Sequence, residues 1–233
     1  MARTVLVTGG NKGIGLEVTR HFVALGDTVI VVARDFAALD ELNSEQIVKK
    51  SFDLTQVDQI PAMIASLGHI DILINNAGVM HALPYDNYPA DKLAEILKLN
   101  IEAPIALIRE VSKSMVTNGG GRIVNNASIA GQIGHPDVWY GVTKAGLINA
   151  TKSFAKILGG NGVVINAVAP GPVETQMLDV IPEPRKKEIK KAVYLNRFAY
   201  ADEVANAIVW LATDSPEYMN GTCLDVNNGA FPR

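Results

Sequence analysis

Short apolar runs alternate with amphipathic helical stretches along the whole chain. The runs are Thr4 to Val7, Thr28 to Ala33, Ile70 to Asn75, Arg122 to Asn126, Val163 to Ala169 and Thr222 to Val226. Most carry Val, Ile or Leu at successive positions rather than at every second one, which suits strands covered on both faces. Between them fall helical patterns. Ile14, Val18, Phe22 and Leu25 form one stripe that Gly26 ends, and further helices are expected over 56–67 and after Ala90. A helix around Tyr140 shows Leu147, Ala150, Phe154 and Leu158 on its apolar face and stops at Gly159-Gly160, and a last one runs from Asp202 to Ala212. This alternation predicts the α/β class, a doubly wound parallel sheet with helices on both faces. No linker, repeat or low-complexity tract divides the chain, so residues 1–233 read as a single domain. Ligands then belong at the carboxyl ends of the strands.

Two places break the rhythm. Pro104 sits four residues beyond Asn100 and has no N–H, so the Asn100 carbonyl loses its helical partner. The freed acceptor could hold a water, with the Asn100 amide in the same region; a polar residue at an ordinary proline kink reads equally well. Residues 177–196 hold Pro182, Pro184 and the basic run RKKEIKK, and are expected to form a lid over the site. A solvated helix face is the plainer account of that basic run.

The first strand leads into TGGNKGIG and then a helix. Glycine lets the backbone turn tightly and approach an anion, while the helix N-terminus offers free N–H groups and a positive dipole end. Gly9, Gly13 and Gly15 read T-G-x-x-x-G-x-G, which is neither G-x-G-x-x-G nor the Walker lysine motif, so a purely structural turn stays open. At the end of the second strand, an acidic residue would bind the ribose hydroxyl of NAD, whereas an arginine accommodates the 2′-phosphate of NADP. Ala33 and Arg34 stand there, with Lys12 as a second cation, so NADP(H) is expected over NAD(H); Asp35 could pair with Arg34. Asn76, Ala77 and Gly78, after the strand IDILIN, are small or amide residues that permit close ligand approach.

Tyr140 and Lys144 lie four apart on one helix, which places a phenol and an ammonium side by side. The cation is expected to pull the tyrosine from its ordinary value near ~10 toward the working range. Ser128 follows the run RIVNNA and would bring a hydroxyl to the same place. Together they suggest proton transfer to or from a carbonyl or alcohol oxygen. Alone, Y-x-x-x-K also describes two surface residues on an amphipathic helix.

Composition narrows the classes. With 21 basic and 24 acidic residues the formal charge is −3, so no global positive field invites nucleic acid or an anionic membrane. Cys223 is the single cysteine and the four histidines are scattered, so neither a disulfide nor a metal site is expected. No secretory signal pattern opens the chain and no apolar run is long enough for a membrane span, so the expected compartment is the cytoplasm.

Taken together, the motifs resemble those of the short-chain dehydrogenase/reductase family over essentially the whole chain. TGGNKGIG is similar to its cofactor loop, NNAG to its fourth-strand motif, PGPVET to its nicotinamide-side motif and GTCLDVNNGA to its last strand. The resemblance implies a Rossmann-type fold and a catalytic set of Asn100, Ser128, Tyr140 and Lys144. It also implies cofactor contacts at Gly9, Asn11, Lys12, Gly13, Ile14, Gly15, Arg34, Asp53, Leu54, Asn76, Ala77 and Gly78, at Tyr140 and Lys144, and at Pro170, Gly171, Val173 and Thr175. The layout resembles the 3-oxoacyl-acyl-carrier-protein reductases and their alcohol-dehydrogenase relatives; the alternatives are a sugar, steroid or other small alcohol or ketone as substrate, or a non-catalytic NADP-binding regulator. The family also implies a homotetramer or homodimer through the helices of Asn100 and Tyr140, with Ile101, Ile105, Ile108, Ile148 and Phe154 as apolar positions beyond the needs of one core. Asn228-Gly229 stands where Asp-Gly is usual.

Overall fold

The computed structural model describes residues 2–42 and 44–232. Seven parallel strands form one sheet: β1 (Thr4–Thr8), β2 (Thr28–Ala33), β3 (Ile47–Ser51), β4 (Ile72–Asn75), β5 (Gly121–Asn126), β6 (Val163–Pro170) and β7 (Cys223–Val226). Their spatial order is β3-β2-β1-β4-β5-β6-β7, so the chain winds outward from β1 first one way and then the other. The crevice beside β1 and β4 is where that direction reverses.

Among the described residues there are eight α-helices: α1 (Gly13–Ala24), α2 (Ala37–Asp40), α3 (Ile60–Ala65), α4 (Ala90–Leu97), α5 (Ala103–Thr117), α6 (Val138–Leu158), α7 (Glu183–Lys191) and α8 (Ala201–Thr213). Side chains alternate across each strand, and the two cores divide accordingly. Val5 and Val7 face Val18 and Phe22 of α1 and Val204 and Ile208 of α8. Leu6 faces the other way, with Ile60 of α3, Leu107 and Val111 of α5 and Ala155 of α6. Central strands are buried along both faces, which is why they read as continuous apolar runs. The edge strand β3 instead exposes Val48, Lys49 and Ser51. Among the described residues, no helix is long and apolar enough to cross a membrane, and no group of side chains could hold a metal ion.

Three sequence expectations are refined. The break at Pro104 is a π turn over Lys98–Glu102, in which the Ala103 N–H reaches back to the Lys98 carbonyl. The extra residue per turn keeps the proline ring in the helix while Asn100 still has no N–H at position 104 to accept from. Second, β5 stops at Asn126, and Ser128 instead caps a 3₁₀ turn at Ile129–Gly131. Third, the apolar residues of α5 and α6 serve mostly this chain's own core. Ile108 and Ile148 are buried, and Ile101 packs on Gly146, where an added Cβ would meet its Cδ1 at 2.8 Å. Val142 and Ile157 are the exposed apolar side chains that α6 keeps beyond its first turn.

Candidate active site

The carboxyl ends of β1, β4, β5 and β6 deliver Gly9, Asn76, Asn126 to Ser128, and Pro170 to Gly171 to one crevice. At its left, Gly9 and Gly13 adopt φ of +63° and +51°, and a Cβ at Gly15 would lie 2.1 Å from the Gly9 carbonyl oxygen. Only glycine fits there, so the loop folds tightly onto the start of α1. That helix begins after Lys12 with no side-chain cap and no acidic residue in its first turn. Its leading N–H groups are therefore available to an anion, and this chemistry fits the pyrophosphate of a dinucleotide. Asn11 and Lys12 form the loop tip, while Ile14 leans on the core beneath.

Arg34 leaves β2 exposed, and among the described residues neither it nor Lys12 makes an ion pair. Asp35 is occupied otherwise: its Oδ1 accepts the Ala37 N–H at 3.1 Å, starting α2. Asp53 accepts from the Thr55 N–H and hydroxyl at 3.0 and 2.9 Å, which with the nearby Arg34 charge holds its carboxyl below the usual range. Leu54 and Val173 bury their side chains in the core, so the backbone is what each can offer a ligand. Gly171 packs on Asn227, and Thr175 stands over the cofactor loop, its methyl 3.2 Å from where a Gly13 Cβ would be.

A buried amide network joins this loop to the catalytic side. Asn76 Nδ2 donates to the Thr8 and Gly9 carbonyls at 3.1 and 3.2 Å, and its Oδ1 accepts from Asn126 Nδ2 at 2.9 Å. The Asn126 carbonyl in turn accepts from Lys144 Nζ at 2.7 Å. Behind it, Asn75 Nδ2 donates to Asn125 Oδ1 at 2.8 Å and Asn125 Nδ2 to Thr151 Oγ1 at 2.9 Å. Each of these amides meets a partner on the next strand or helix through its nitrogen, while among the described residues Asn75 Oδ1 and Asn126 Oδ1 are buried without a hydrogen-bond partner.

Ser128, Tyr140, Lys144 and Asn100 come together at the far end of the network. Ser128 Oγ accepts the Ala130 N–H at 3.1 Å and hydrogen-bonds the Tyr140 phenol. Lys144 Nζ lies 5.7 Å from the Tyr140 ring centroid. Gly78 closes the gap between the other two: a Cβ there would stand 3.3 Å from Asn100 Oδ1 and 3.6 Å from Lys144 Nζ. The Asn100 amide is fully engaged by neighbouring groups. It pairs with both the N–H and the carbonyl of Val79 at 2.9 Å and donates to Thr143 Oγ1 at 3.1 Å. Pro104 has no N–H to offer the Asn100 main-chain carbonyl.

The electrostatics also correct an expectation. Burial pushes the Tyr140 phenol above its ordinary value; the Ser128 hydrogen bond opposes this, and the Asp137 charge adds to it. Lys144 does not offset the shift, because its ammonium is directed at Asn126 and is itself depressed to about 8 by burial. The phenol is thus held as an acid. Its hydroxyl also donates to Met177 Sδ at 4.0 Å, a long contact from the first turn after PGPVET.

Asp137 is the residue that sequence reasoning missed. It caps α6, accepting the Tyr140 N–H. An aspartate after proline and three residues ahead of the tyrosine is an N-cap signal that could have marked it. Thr143, which accepts from Asn100 and donates to the Tyr140 carbonyl at 2.8 Å, had no such mark.

Known proteins are similar to this chain along nearly its full length. A family model described as Enoyl-(Acyl carrier protein) reductase matches residues 9–230. The 3-oxoacyl-[acyl-carrier-protein] reductase FabG of Rickettsia bellii is 32% identical over 231 residues, covering 97% of this chain and 96% of its own. The 3alpha-hydroxysteroid dehydrogenase of Mediterraneibacter gnavus is also 32% identical, over 241 residues, 98% of this chain and 96% of its own. A crystal structure described as an NAD(P) dependent gluconate 5-dehydrogenase of Beutenbergia cavernae, with bound NADP, superposes with a TM-score of 0.92 at 28% identity, covering 99% of this chain and 97% of that one.

Proposed function

The chain belongs to the short-chain dehydrogenase/reductase family, and we propose that within it this enzyme reduces 3-oxoacyl thioesters, with NADPH preferred over NADH. It is an NADP-dependent oxidoreductase acting between a carbonyl and a secondary alcohol. The observation that carries the reading is the buried line from Gly9 through Asn76 and Asn126 to Lys144, which ends beside Ser128 and Tyr140. A cofactor loop and an acid–base pair are thereby held as one rigid unit.

When bound, the nicotinamide supplies or accepts the hydride. In reduction, Tyr140 gives its phenolic proton to the carbonyl oxygen and Ser128 holds that oxygen in line. Lys144 keeps one N–H on Asn126 and offers the others to the ribose hydroxyls. Lys144 then passes a proton back to the phenolate, and a water on the Asn100 carbonyl replaces that proton from solvent. Lys12 and Arg34 receive the 2′-phosphate, which Asp35, engaged at the start of α2, leaves them free to do.

The thioester preference draws on the reductase relatives, and a sugar or steroid alcohol draws on the gluconate and hydroxysteroid enzymes. NADPH consumption against 3-oxoacyl thioesters, sugar ketones and steroid ketones decides between them; turnover confined to the last two would remove the thioester reading. In fluorescence titrations NADPH should bind more tightly than NADH, and Arg34→Ala should weaken NADPH alone by about tenfold or more. Equal affinity of the parent for both cofactors would overturn the preference. A homodimer or homotetramer is proposed as well, and a monomer mass in light scattering would exclude it.

A further inference from the structure

Asp137 does more than cap a helix. Asp137 is almost wholly buried, 1% exposed, and its carboxylate is met by backbone N–H groups with the Tyr88 hydroxyl beside it rather than by a cation. Its Oδ1 accepts the Tyr140 N–H at 3.0 Å, while its Oδ2 accepts the Ala82 N–H at 2.9 Å and the His81 N–H at 3.3 Å. His81 and Ala82 belong to the strap between β4 and α4, and Ala82 is held at φ +53°, a conformation unusual for a side chain with a Cβ. A neutral serine or asparagine would cap α6 as well as an aspartate. A buried carboxylate is costly by comparison, so its presence calls for a reason beyond the cap. The reason in the geometry is that its two oxygens serve two different elements. Asn100 fastens the same strap from the other side, through Val79.

We infer that Asp137 is a positioning residue for the Tyr140 phenol, clamping the first turn of α6 to the strap at His81 and Ala82. The inference rests on Tyr140 as the proton-transfer group. Other polar and charged groups surround this pair. The His135 ring is 5.3 Å from the Tyr140 ring, with its Nδ1 3.1 Å from the Asp137 carbonyl oxygen. The His81 imidazole lies 3.5 Å from Glu95, and Lys144 stands over the tyrosine ring. Tyr88 is pushed up to about 12, chiefly by burial and then by the Asp137 charge. That same charge works with burial to keep the Tyr140 proton in place, so the clamp fixes both where the acid stands and how firmly it holds its proton.

The test uses the full chain with Asp137→Asn and Asp137→Ser, and Tyr140→Phe beside them. Both Asp137 variants keep an oxygen for the cap, but neither can accept from the strap or carry the charge. Amide exchange by mass spectrometry should then quicken by roughly tenfold or more in 79–84, while 138–141 stays protected. NADPH oxidation with a 3-oxobutyryl ester of a small thiol should show kcat down roughly tenfold with the KM for NADPH within about twofold. The alkaline limb of kcat should move to lower pH, a change that a purely structural loss would not cause. Unchanged exchange in the strap overturns the clamp, and so does a released strap with kcat and alkaline limb at their parent values. If Asp137→Asn does not fold, Asp137→Ser carries the same measurements. A parent that ignores the thioester removes only that substrate class, and the profile is then taken with the ketone found by the screen. Full turnover in Tyr140→Phe removes the role of the tyrosine itself, whatever the Asp137 variants do.

Discussion

The floor of the crevice and the segment above it are built on opposite principles. In the floor, Asn75, Asn100, Asn125, Thr143 and Lys144 are all buried, and their side chains bond across strands and helices far apart in sequence. Above it, α7 has no buried residue at all. Its ion pairs, Arg185 with Glu188 and Lys186 with Glu183, are local pairs one helical turn apart at the surface. The segment is attached at its ends: Thr175 rests on Gly13, Met177 on Tyr140, the Leu195 N–H on Asn228 Oδ1 at 2.8 Å, and Tyr194 on Gly229. Side-chain bonds across strands and helices hold the floor more firmly than α7 is held, whose contacts include Lys190 over the Phe198 ring at 4.7 Å but no buried side chain. We propose that the segment 177–196 serves as a movable cover over the fixed groups of the floor.

The largest effect should come from the floor. Tyr140→Phe keeps the ring and removes the proton, so turnover should fall about 100-fold or more while NADPH still binds. Steady-state rates with fluorescence titration of the cofactor check both halves. Retained turnover would mean that the fixed geometry serves something other than proton transfer.

Lys144 gives the next largest effect. Burial lowers its pKa from 10.5 to about 8, so between those values the folded chain binds fewer protons than the unfolded one. Stability therefore rises with pH across that window and is lost as pH falls through about 8. Compared with Lys144→Met in urea unfolding without cofactor, the parent should gain about 2 kcal/mol between pH 7 and pH 9.5. A difference that stays flat with pH would show that the ammonium is not paying a burial penalty.

Changes above the crevice should be milder. Adding NADP(H) should increase amide protection over 177–196 and leave 122–126 as it was, and no increase would disprove a lid ordered by cofactor. The smallest effect is expected from Lys186→Glu, within about 0.5 kcal/mol of the parent in thermal or urea unfolding, because its partner Glu183 is exposed. A larger loss would mean that α7 is anchored through its basic face.

Much of this was written locally in the chain. The runs over β1, β2 and β6 marked buried strands, Gly26 and Gly159 marked helix ends, and TGGNKGIG marked a tight strand-to-helix turn. The catalytic candidates were legible because Tyr140 and Lys144 share one helix face, and because Pro104 must disturb whatever helix contains it. Less legible were residues whose role depends on a distant partner. Ile108 and Ile148 read as spare apolar surface because helical periodicity does not say how much of a face the sheet will cover. Asp137 was passed over because a cap is local, while the strap it also holds arrives from 81–82.

The sequence by itself determined the alternation of strand and helix, the glycine turn, and the presence of a phenol, a hydroxyl and an amine in the right order. Those features follow from backbone geometry and side-chain size within a few residues, which local sequence specifies. Only the tertiary structure decided that Lys144 points at the Asn126 carbonyl, that the Asn100 amide is spent on Val79, and that Asp137 binds two elements at once. Each depends on which groups meet in a low-dielectric interior, where an unpaired polar atom is expensive and the available partners are set by the whole fold.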